Sequence, residues 1–473
     1  MVIRRHIAPN IDFTSLRREL KLPEQFTPAA QHEADQIAAS GPALPAVDHT
    51  DIDFVTIDPP TSMDLDQAMC LQRRPGGGYR VFYAIADVSA FVAPGSALFI
   101  DTWGRGQTIY LPDGKVPLHP KVLSEGATNL LPDQVRPAVV WTIDLDSSGE
   151  TTAVRVERAT VRSRAQLNYP AVQAAVSTGS VADPIALLPE IGALLIERGL
   201  QRGAINLPIP SQEVVPVDGG WELILEAPAP VEDFNAQISL LTGMAAAKIM
   251  LDGGCGLLRT MPAPEPEAIA NLKKAAQSLG IAWPDGASAG RVIGSVDGND
   301  PRGAAFLDHA AELMRGAGYA AFDGTPPTDT GHGGVGAAYA HVTAPLRRLA
   351  DRFATESALA IFEGRAVPDW VRQSLPKLPA VMATTDHLAG AADRGAVDLT
   401  EAVLLADRVG EQFDAAVLDL DDKPGARKGT IAIDHPAVRA KCEGPGMVLG
   451  ERLTVRLTEA DPKQRKVLFT TAE

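Results

Sequence analysis

The sequence has 473 residues and a net charge of −16, and it is 45% hydrophobic and 22% charged. The length allows about three domains, and the composition is ordinary for a soluble globular protein. Such acidity disfavours nonspecific duplex binding, although it is compatible with a narrow basic channel. The three cysteines lie far apart, which argues against a disulfide framework and predicts a reducing, cytoplasmic location. No apolar run is long enough to span a bilayer, so no membrane association is expected.

Residues 1–48 predict a small helical N-terminal segment. Capping-type residues precede a periodic apolar pattern over 14–20, and a second helix is expected over 29–39. The run Gly-Pro-Ala-Leu-Pro at 41–45 then breaks the chain. We therefore place a domain boundary near residue 48.

Residues 49–407 predict a second, larger domain in which strands come first and helices later. Strands are expected over 54–57, 79–88, 138–145 and 152–157, and helices over 233–251, 266–279, 303–315, 345–363 and 386–408. This order indicates an α+β domain that is large for one unit. Residues 408–473 contain four strand-like runs, at 412–419, 428–433, 452–457 and 466–470. Their spacing predicts a five-stranded OB-type barrel with one strand not located.

Three aspartates follow the first predicted strand: Asp58, Asp64 and Asp66. Asp64 and Asp66 project to the same side of an extended chain, and a tight turn at 59–60 could bring Asp58 to them. Oxygen ligands without His or Cys suit Mg²⁺ or Mn²⁺, and such ions support hydrolysis at phosphorus. The alternative is a solvated acidic loop. A calcium loop is excluded because its Gly and distal Glu are missing.

A second group of polar residues lies at 332–351. Thr343 is predicted to cap a helix that has Pro345 in its first turn. Arg347 and Arg348 would then lie near the helix N-terminus, where an arginine fork suits phosphate. The alternative is a capped helix with a surface arginine pair. Two histidines of this segment are expected to be buried, hydrogen-bonded structural residues: His332 and His341.

Taken together, these segments resemble the ribonuclease II (RNB) family of exoribonucleases. The similar motifs occur in order at 56–68, 85–89, 94–96, 110–114, 116–120, 123–124, 135–137 and 339–351. The resemblance covers roughly residues 50–400, and the barrel-like tail lies where the family carries an OB-fold RNA-binding domain. It therefore implies an α+β fold in which an RNB-type catalytic domain, with a mixed sheet and many helices, precedes a small OB barrel.

The resemblance also implies a function. It implies a magnesium-dependent exoribonuclease, with Mn²⁺ as the second candidate ion, that hydrolyses single-stranded RNA from a free 3′ end to 5′-mononucleotides. No protein partner is expected. The implied catalytic residues are Asp66 and Arg347. The implied metal ligands are Asp58, Asp64, Asp66 and Gln67, and the implied RNA-binding residues are Tyr110, Arg347, Arg348, Tyr339, Leu207, Arg427 and Lys428.

The chain departs from the family pattern at several positions. Gln67 stands where the family usually has a fourth aspartate, and Ser239 stands where relatives often carry Glu. Leu207 replaces an aromatic residue that stacks on bases, and residues 1–48 are too short for the family's cold-shock barrels. Gln67 and Ser239 favour the alternative of an RNB-like RNA-binding protein with weak or no nuclease activity. An aspartyl phosphotransferase with Asp64 as nucleophile ranks last, because no apolar strand directly precedes that residue.

Overall fold

The computed structural model describes residues 7–9, 11–421 and 428–472. The first strands are β1 (Phe54–Asp58), β2 (Gln67–Arg73), β3 (Tyr79–Ala86), β4 (Ile109–Leu111), β5 (Gly114–Val116), β6 (Val135–Leu145) and β7 (Thr151–Asn168). Five of them form a closed barrel in the order β1–β2–β3–β6–β7, and β4 and β5 form a separate hairpin. The barrel is mixed because β1 runs parallel to β7, whereas the other neighbours are antiparallel.

The strand directions bring distant residues to one mouth of this barrel. Asp58 at the end of β1 lies beside Asn168 at the end of β7. Gln67 at the start of β2 pairs with Ile85 near the end of β3. The loop between β1 and β2, which carries the acidic cluster, therefore lies at this mouth.

Helices and short ribbons surround the barrel. The helices are α1 (Thr14–Glu19), α2 (Pro28–Ser40), α3 (Ala97–Arg105), α4 (Tyr169–Thr178), α5 (Leu188–Gln201), α6 (Pro230–Gly253), α7 (Pro266–Leu279), α8 (Ala289–Ile293), α9 (Pro301–Ala310), α10 (Leu349–Phe362), α11 (Asp369–Arg372) and α12 (Leu378–Leu405). The ribbons are β8 (Ser211–Val217) with β9 (Gly220–Glu226), β10 (Cys255–Thr260) with β11 (Gly318–Asp323), and β12 (Gly331–His332) with β13 (Ala337–Ala338). Buried side chains of the barrel, α6 and α10 share one core, which includes Trp141, Ile238 and Phe353.

The last strands are β14 (Gln412–Leu420), β15 (Lys428–Ile433), β16 (Val438–Glu443), β17 (Arg452–Asp461) and β18 (Lys466–Thr471). They close into a second barrel in the order β14–β15–β16–β18–β17, which confirms the predicted OB-type barrel. Its interior contains an edge-to-face pair, Phe413 and Phe469, whose ring centroids lie 5.6 Å apart, within the usual range for such pairs. The strand that the sequence did not locate is β16. Its buried residues include Ala440 and Cys442, whose small side chains give a weak strand signal.

Several predicted element bounds were wrong. The strand expected over 152–157 extends to Asn168, because its first part pairs with β6 and its second part with β1. The helix expected from residue 386 begins at Leu378 and ends at Leu405. The strand expected over 79–88 ends at Ala86, where a short 3₁₀ turn over Val88–Ala90 follows.

The helix expected over 345–363 begins only at Leu349, so Thr343 does not cap it. Arg348 occupies the N-cap position with extended backbone and makes no side-chain cap. The preceding residues form a turn in which the N–H groups of Arg347 and Arg348 both donate to the carbonyl of Ala344. Pro345 therefore lies in this turn and not in the first turn of α10.

The described N-terminal residues contain the two predicted helices, and α1 packs behind the β4–β5 hairpin. Leu16 lies in one apolar cluster with Ile109, Leu111 and Val116 of the hairpin. Arg17 donates two hydrogen bonds to the carboxylate of Asp113 at the hairpin turn, at 2.8 and 2.5 Å. The N-terminal segment thus braces the hairpin from behind.

Within residues 7–9, 11–421 and 428–472, the structure contains no helix that combines the length and the apolar character needed to cross a membrane.

The Arg17–Asp113 contact predicts a stability effect. Arg17→Ala leaves the part-buried carboxylate of Asp113 without its bidentate partner, so the free energy of unfolding should fall by about 1–3 kcal/mol. Arg18→Ala is the matched control, because Arg18 is an exposed neighbour on the same helix; it should change the stability by less than about 0.5 kcal/mol. Chemical unfolding measures both. Equal effects of the two variants would contradict the bracing contact.

Candidate active site

The acidic loop between β1 and β2 is fixed by hydrogen bonds to its backbone carbonyls. Asn129 Nδ2 donates to the carbonyl of Met63 at 2.7 Å, and the N–H of Leu130 donates to that of Leu65 at 3.0 Å. Gln166 Nε2 donates to the carbonyl of Ser62 at 2.8 Å. Since these donors come from separate segments, the loop has a defined path, and its carboxylates are held in place.

Asp66 joins this loop to the turn before α10. The side chain of Asp66 is buried, and its Oδ1 accepts a hydrogen bond from the N–H of Leu346 at 2.8 Å. The Nε atom of Arg347 lies 3.6 Å from Asp66 Oδ2, which is an ion pair but too long for a hydrogen bond. The Arg347 side chain remains 46% exposed, so its guanidinium can reach a ligand above Asp66.

Asp351 holds the turn that presents Arg347. Its side chain is fully buried and accepts from the N–H of Ala344 at 2.7 Å. Arg348 makes a bidentate pair with the same carboxylate, at 2.9 and 3.0 Å. The two adjacent arginines therefore differ: Arg348 is bound to the protein, whereas Arg347 faces the acidic loop. Two guanidinium nitrogens of Arg348 are already engaged by Asp351, and its predicted contact with phosphate stays a prediction.

The β4–β5 hairpin forms another wall of the site. The N–H of Thr108, just before β4, donates to the carbonyl of Arg347 at 2.9 Å. Tyr110 and Lys115 lie directly opposite each other on the two strands, and both reach Asp64. The hydroxyl of Tyr110 lies 3.4 Å from Asp64 Oδ2, and Lys115 Nζ lies 2.8 Å from Asp64 Oδ1. The ring of Tyr110 is half-exposed, and its stacking on a base stays a prediction.

Gln67 and Ser239 belong to one neutral hydrogen-bond network. Gln67 Nε2 donates to the carbonyl of Thr343 at 2.5 Å, and its Oε1 accepts from the hydroxyl of Tyr83 at 3.2 Å. Ser239 Oγ on α6 lies 2.8 Å from the same hydroxyl. Both ends of the Gln67 amide are thus engaged by protein groups. This arrangement links β2 to the turn before α10 and gives Gln67 a structural contact, while its role as a metal ligand stays a prediction.

Asp58 lies near Tyr169, a tyrosine that is hydrogen-bonded to α6. Asn235 Nδ2 on α6 donates to the hydroxyl of Tyr169 at 2.9 Å. Burial, together with the nearby charge of Asp58, raises the pKa of Tyr169 to about 12, so this phenol is neutral and can donate a hydrogen bond. Among the described residues, Asp58 makes no ion pair.

The carboxylates are close enough to affect one another's titration. Burial raises the pKa of Asp58 to about 6, with Arg347 opposing the shift and Asp64 adding to it. Burial raises the pKa of Asp66 to about 8, and this shift is opposed by Arg347 and by the N–H of Leu346. Both shifts mean that ionised carboxylates here lack compensating positive charge, a deficit that a divalent cation would meet.

The donor set matches the chemistry of Mg²⁺, because Asp58, Asp64 and Asp66 supply only oxygen atoms. In the part of the chain that the structure describes, however, no three Asp, Glu, His or Cys side chains are grouped closely enough to hold a metal ion. The Asp64 carboxylate forms an ion pair with Lys115. The Asp66 carboxylate is directed to the N–H of Leu346 and to Arg347. The residues therefore fit the ion in kind, and their metal role stays a prediction.

Other predicted RNA-binding residues lie away from this pocket or in the interior. The ring of Tyr339 is buried against Gly243 of α6 and between two histidines, so no base can stack on it in this structure. Leu207 is half-buried against the apolar cluster around Ile205 and Phe306. Lys428 is exposed at the second barrel and pairs with Glu443 at 2.7 Å. Arg427 lies outside the described residues.

The two histidines of the second motif are partly as predicted. His341 Nδ1 lies 2.7 Å from the hydroxyl of Tyr319, which confirms a hydrogen-bonded structural histidine, and burial lowers its pKa well below the usual range. His332 packs edge-to-face on Tyr339, but its Nδ1 has no hydrogen-bond partner among the described residues.

Sequence reasoning missed four residues of this site: Lys115, Tyr83, Tyr169 and Asp351. A signal was present for Asp351, which ends the motif at 339–351, and for Lys115. The short apolar runs on either side of Pro112 and Asp113 indicate a hairpin, in which Lys115 would face the same side as Tyr110. Tyr83 and Tyr169 act through contacts with α6, which is distant in sequence, whereas Asp351 contacts Ala344 and Arg348 within its own motif.

Family comparison decides the class of the protein. The RNB domain model matches residues 46–356, and the model of the RNase II-type exonuclease C-terminal S1 domain matches residues 411–472. The chain belongs to the RNB family. The resemblance stated from the sequence motifs is thereby confirmed.

Curated relatives carry ribonuclease names. This RNB chain is 29% identical to exosome complex exonuclease RRP44 homolog A of Arabidopsis thaliana over 344 residues, which is 69% of this chain and 36% of that protein. It is 26% identical to ribonuclease R of Thermotoga maritima over 440 residues, which is 87% of this chain and 61% of that protein. The chain thus spans one third to three fifths of these relatives' length. The first name refers to a complex, so the expected absence of a protein partner has no support.

Solved structures confirm the RNB fold. Mycoplasma genitalium RNase R in complex with ribose-methylated single-stranded RNA matches with a TM-score of 0.85 and 20% identity, covering 97% of this chain and 77% of that chain. Yeast Ssd1, described as a pseudonuclease, matches with a TM-score of 0.71 and 17% identity, and the match covers 91% of this chain and 55% of that chain. At these identities the likeness shows the fold alone.

The raised pKa of Asp66 predicts a pH-dependent stability difference. The carboxyl titrates at about 8 in the folded, metal-free protein and at the ordinary value of 3.8 when unfolded. Between these values only the unfolded state is ionised, so this group's contribution to the free energy of unfolding falls by about 1.4 kcal/mol per pH unit. Asp66→Asn removes this loss and keeps an oxygen for the Leu346 N–H. Relative to wild type, the variant should therefore gain stability from pH 5 to pH 8.

Chemical unfolding in the presence of a chelator measures this difference at several pH values. Asp51→Asn, which changes an exposed carboxylate ahead of β1, is the control and should follow wild type at each pH. A stability difference for Asp66→Asn that stays constant, or that shrinks as the pH rises, would contradict the assigned titration.

Proposed function

We propose that this RNB-family chain is a magnesium-dependent hydrolytic exoribonuclease that degrades single-stranded RNA from the 3′ end to 5′-mononucleotides. One observation carries the proposal: Asp66 of the acidic loop and the half-exposed Arg347 lie 3.6 Å apart, although they come from opposite ends of the RNB domain. The ribonuclease names of the relatives support the same class of activity. Because the chain spans only part of those relatives, the complete activity is a proposal.

Arg347 is the residue proposed to bind the scissile phosphate. Its guanidinium is fixed at one side by Asp66 and leaves nearly half of the side chain open. A planar guanidinium can donate two parallel hydrogen bonds to phosphate oxygens and stabilise the negative charge that develops during hydrolysis. Asp351 holds the turn that carries Arg347, so the position of this residue does not depend on bound RNA.

Tyr110 is proposed to hold the terminal base. Its half-exposed ring is set on the short β4–β5 hairpin beside Asp64. A base stacked on this ring would place its own phosphate near the acidic loop and Arg347. Stacking of this kind contributes about 1–3 kcal/mol per base and tolerates any base, which suits an enzyme that removes successive nucleotides.

The acidic loop is the proposed site of the divalent ion. Asp58, Asp64 and Asp66 would hold Mg²⁺, which when bound supplies an activated water and neutralises charge on the phosphate. Without the ion, a pKa of about 8 keeps the Asp66 carboxyl largely protonated near neutral pH, whereas Asp58, with a pKa of about 6, is largely ionised there. The chain's own contribution is therefore a set of oxygen donors at the barrel mouth, next to the arginine that binds the substrate.

A second candidate function is RNA binding with weak or no hydrolysis. It is favoured by the network of Gln67, Tyr83 and Ser239, which places neutral groups beside the acidic loop. A neighbour in fold, yeast Ssd1, is described as a pseudonuclease. The two candidates differ in one result, which is whether bound RNA is cut.

The primary test follows single-stranded RNA labelled at either end, with Mg²⁺ or with chelator. The proposal expects a 3′ label to be released at once as mononucleotide, and a 5′ label to pass through progressively shorter RNAs, only when metal is present. Release of the 5′ label first would contradict the direction. RNA that is retarded on a gel but stays intact in Mg²⁺ and in Mn²⁺ would select the second candidate.

The roles of Asp66 and Arg347 are tested separately. Asp66→Asn should bind RNA within about threefold of wild type and release no nucleotide. Arg347→Ala should lower turnover by about 10²–10³-fold with a smaller loss of binding, because it removes a contact that is strongest in the transition state. Asp51→Asn and Arg18→Ala, which change exposed residues, are the charge-matched controls. Continued nucleotide release by Asp66→Asn, or a loss confined to affinity for Arg347→Ala, would contradict the assigned roles.

A further inference from the structure

Lys115 makes two ion pairs within the candidate site, and the proposed reaction does not use it. Its Nζ lies 2.8 Å from Asp64 Oδ1 and 3.0 Å from Glu125 Oε1. All three side chains are largely removed from solvent, with exposed fractions of 16% for Lys115, 12% for Asp64 and 24% for Glu125. One ammonium therefore bridges two carboxylates at a place where screening by water is weak.

The position of this ammonium is set by the fold. Lys115 lies in β5 directly opposite Tyr110. The hairpin that carries both is bound at its turn by Arg17 and at its base by the Thr108–Arg347 backbone hydrogen bond. The lysine stem therefore extends from a fixed strand toward Asp64, unlike a surface lysine on a free loop.

The charges of the site divide into two halves. On one half, Arg347 faces Asp66, and Asp58 has no ion pair among the residues described. On the other half, Lys115 occupies the space between Asp64 and Glu125. Two divalent ions that act together on one phosphate lie about 3.5–4 Å apart and share carboxylate ligands. A second ion at Asp64 would have to occupy the neighbourhood that Lys115 Nζ already fills.

We propose that Lys115 serves as a built-in cation at Asp64 and Glu125, so that this chain binds one divalent ion and not two. The inference rests on the proposed metal-dependent function and specifies its stoichiometry. If Lys115 is replaced by an uncharged residue, Asp64 and Glu125 face each other without compensation. Two facing carboxylates form a site for a further divalent ion.

Direct counting of bound Mn²⁺ tests this inference without reference to nuclease activity. Metal-free protein is titrated with Mn²⁺, and the free ion is measured by electron paramagnetic resonance. Wild type should bind one ion in the acidic loop, and Lys115→Met should bind a second. The double variant Lys115→Met/Glu125→Gln should bind one again, because the second pair of carboxylates is gone.

Two controls separate charge at this site from general effects of substitution. Lys115→Arg keeps the positive charge and should bind one ion. Lys121→Met removes an exposed lysine nearby in sequence and should also bind one ion. Circular dichroism and thermal unfolding confirm that each variant is folded, and the wild-type count tests the inference even if Lys115→Met does not fold.

The possible results are distinct. Two ions bound by wild type, or one ion bound by folded Lys115→Met, would overturn the inference and leave the proposed nuclease function standing. No Mn²⁺ bound by wild type would overturn the metal-dependent function itself, and this inference with it. Suppose that wild type binds one Mn²⁺ ion, Lys115→Met binds two and the double variant binds one, but that RNA stays uncut. This result would refute the proposed hydrolysis and support the role of Lys115.

Discussion

Burial of the Asp66 carboxyl is the constraint on which the rest of the site depends. A buried carboxyl needs hydrogen-bond partners, and the barrel mouth alone does not supply them. The hydrogen bond comes from the N–H of Leu346, which is 280 residues away in the chain, and Arg347 adds an ion pair. This long-range contact requires the turn before α10 to lie against the barrel mouth. Arg347 is consequently placed beside the acidic loop by the same contacts that satisfy Asp66, so one arrangement both stabilises the fold and positions the arginine proposed to bind phosphate.

Local charge, and not the overall charge of −16, governs what this pocket can bind. Arg347 and Lys115 lie on its two sides, whereas Arg348 is neutralised by Asp351. Gln67, Tyr83 and Ser239 add hydrogen bonds without adding charge. An acidic protein can therefore receive a polyanion if the positive groups are confined to the reacting phosphate.

The sequence was most informative where structure is local or where a motif is continuous. The family, the α+β class, the second barrel, and α7 at residues 266–279 were predicted. Prediction failed where tertiary contacts override local preference. Pro345 suggested a helix start. The Asp351 carboxylate instead accepts hydrogen bonds from the N–H of Ala344 and from Arg348, which holds these residues in a turn, and α10 begins only at Leu349. Tyr339 was assigned to RNA from its motif; the structure places its ring, buried, against Gly243, and its RNA contact stays a prediction. Lys115 was missed because its two partners lie in other segments.

The N-terminal segment matters to the site because of the hairpin that it supports. β4 and β5 have three residues each, and an isolated ribbon of this length is not stable in water. Its apolar face is covered by Leu16 of α1 and by Ala392 and Ala396 of α12, and its turn is bound by Arg17. The predicted boundary near residue 48 thus separates sequence regions whose side chains share one core. Since Tyr110 and Lys115 both project from this hairpin, α1 contributes to the pocket indirectly, by supporting the wall that carries them.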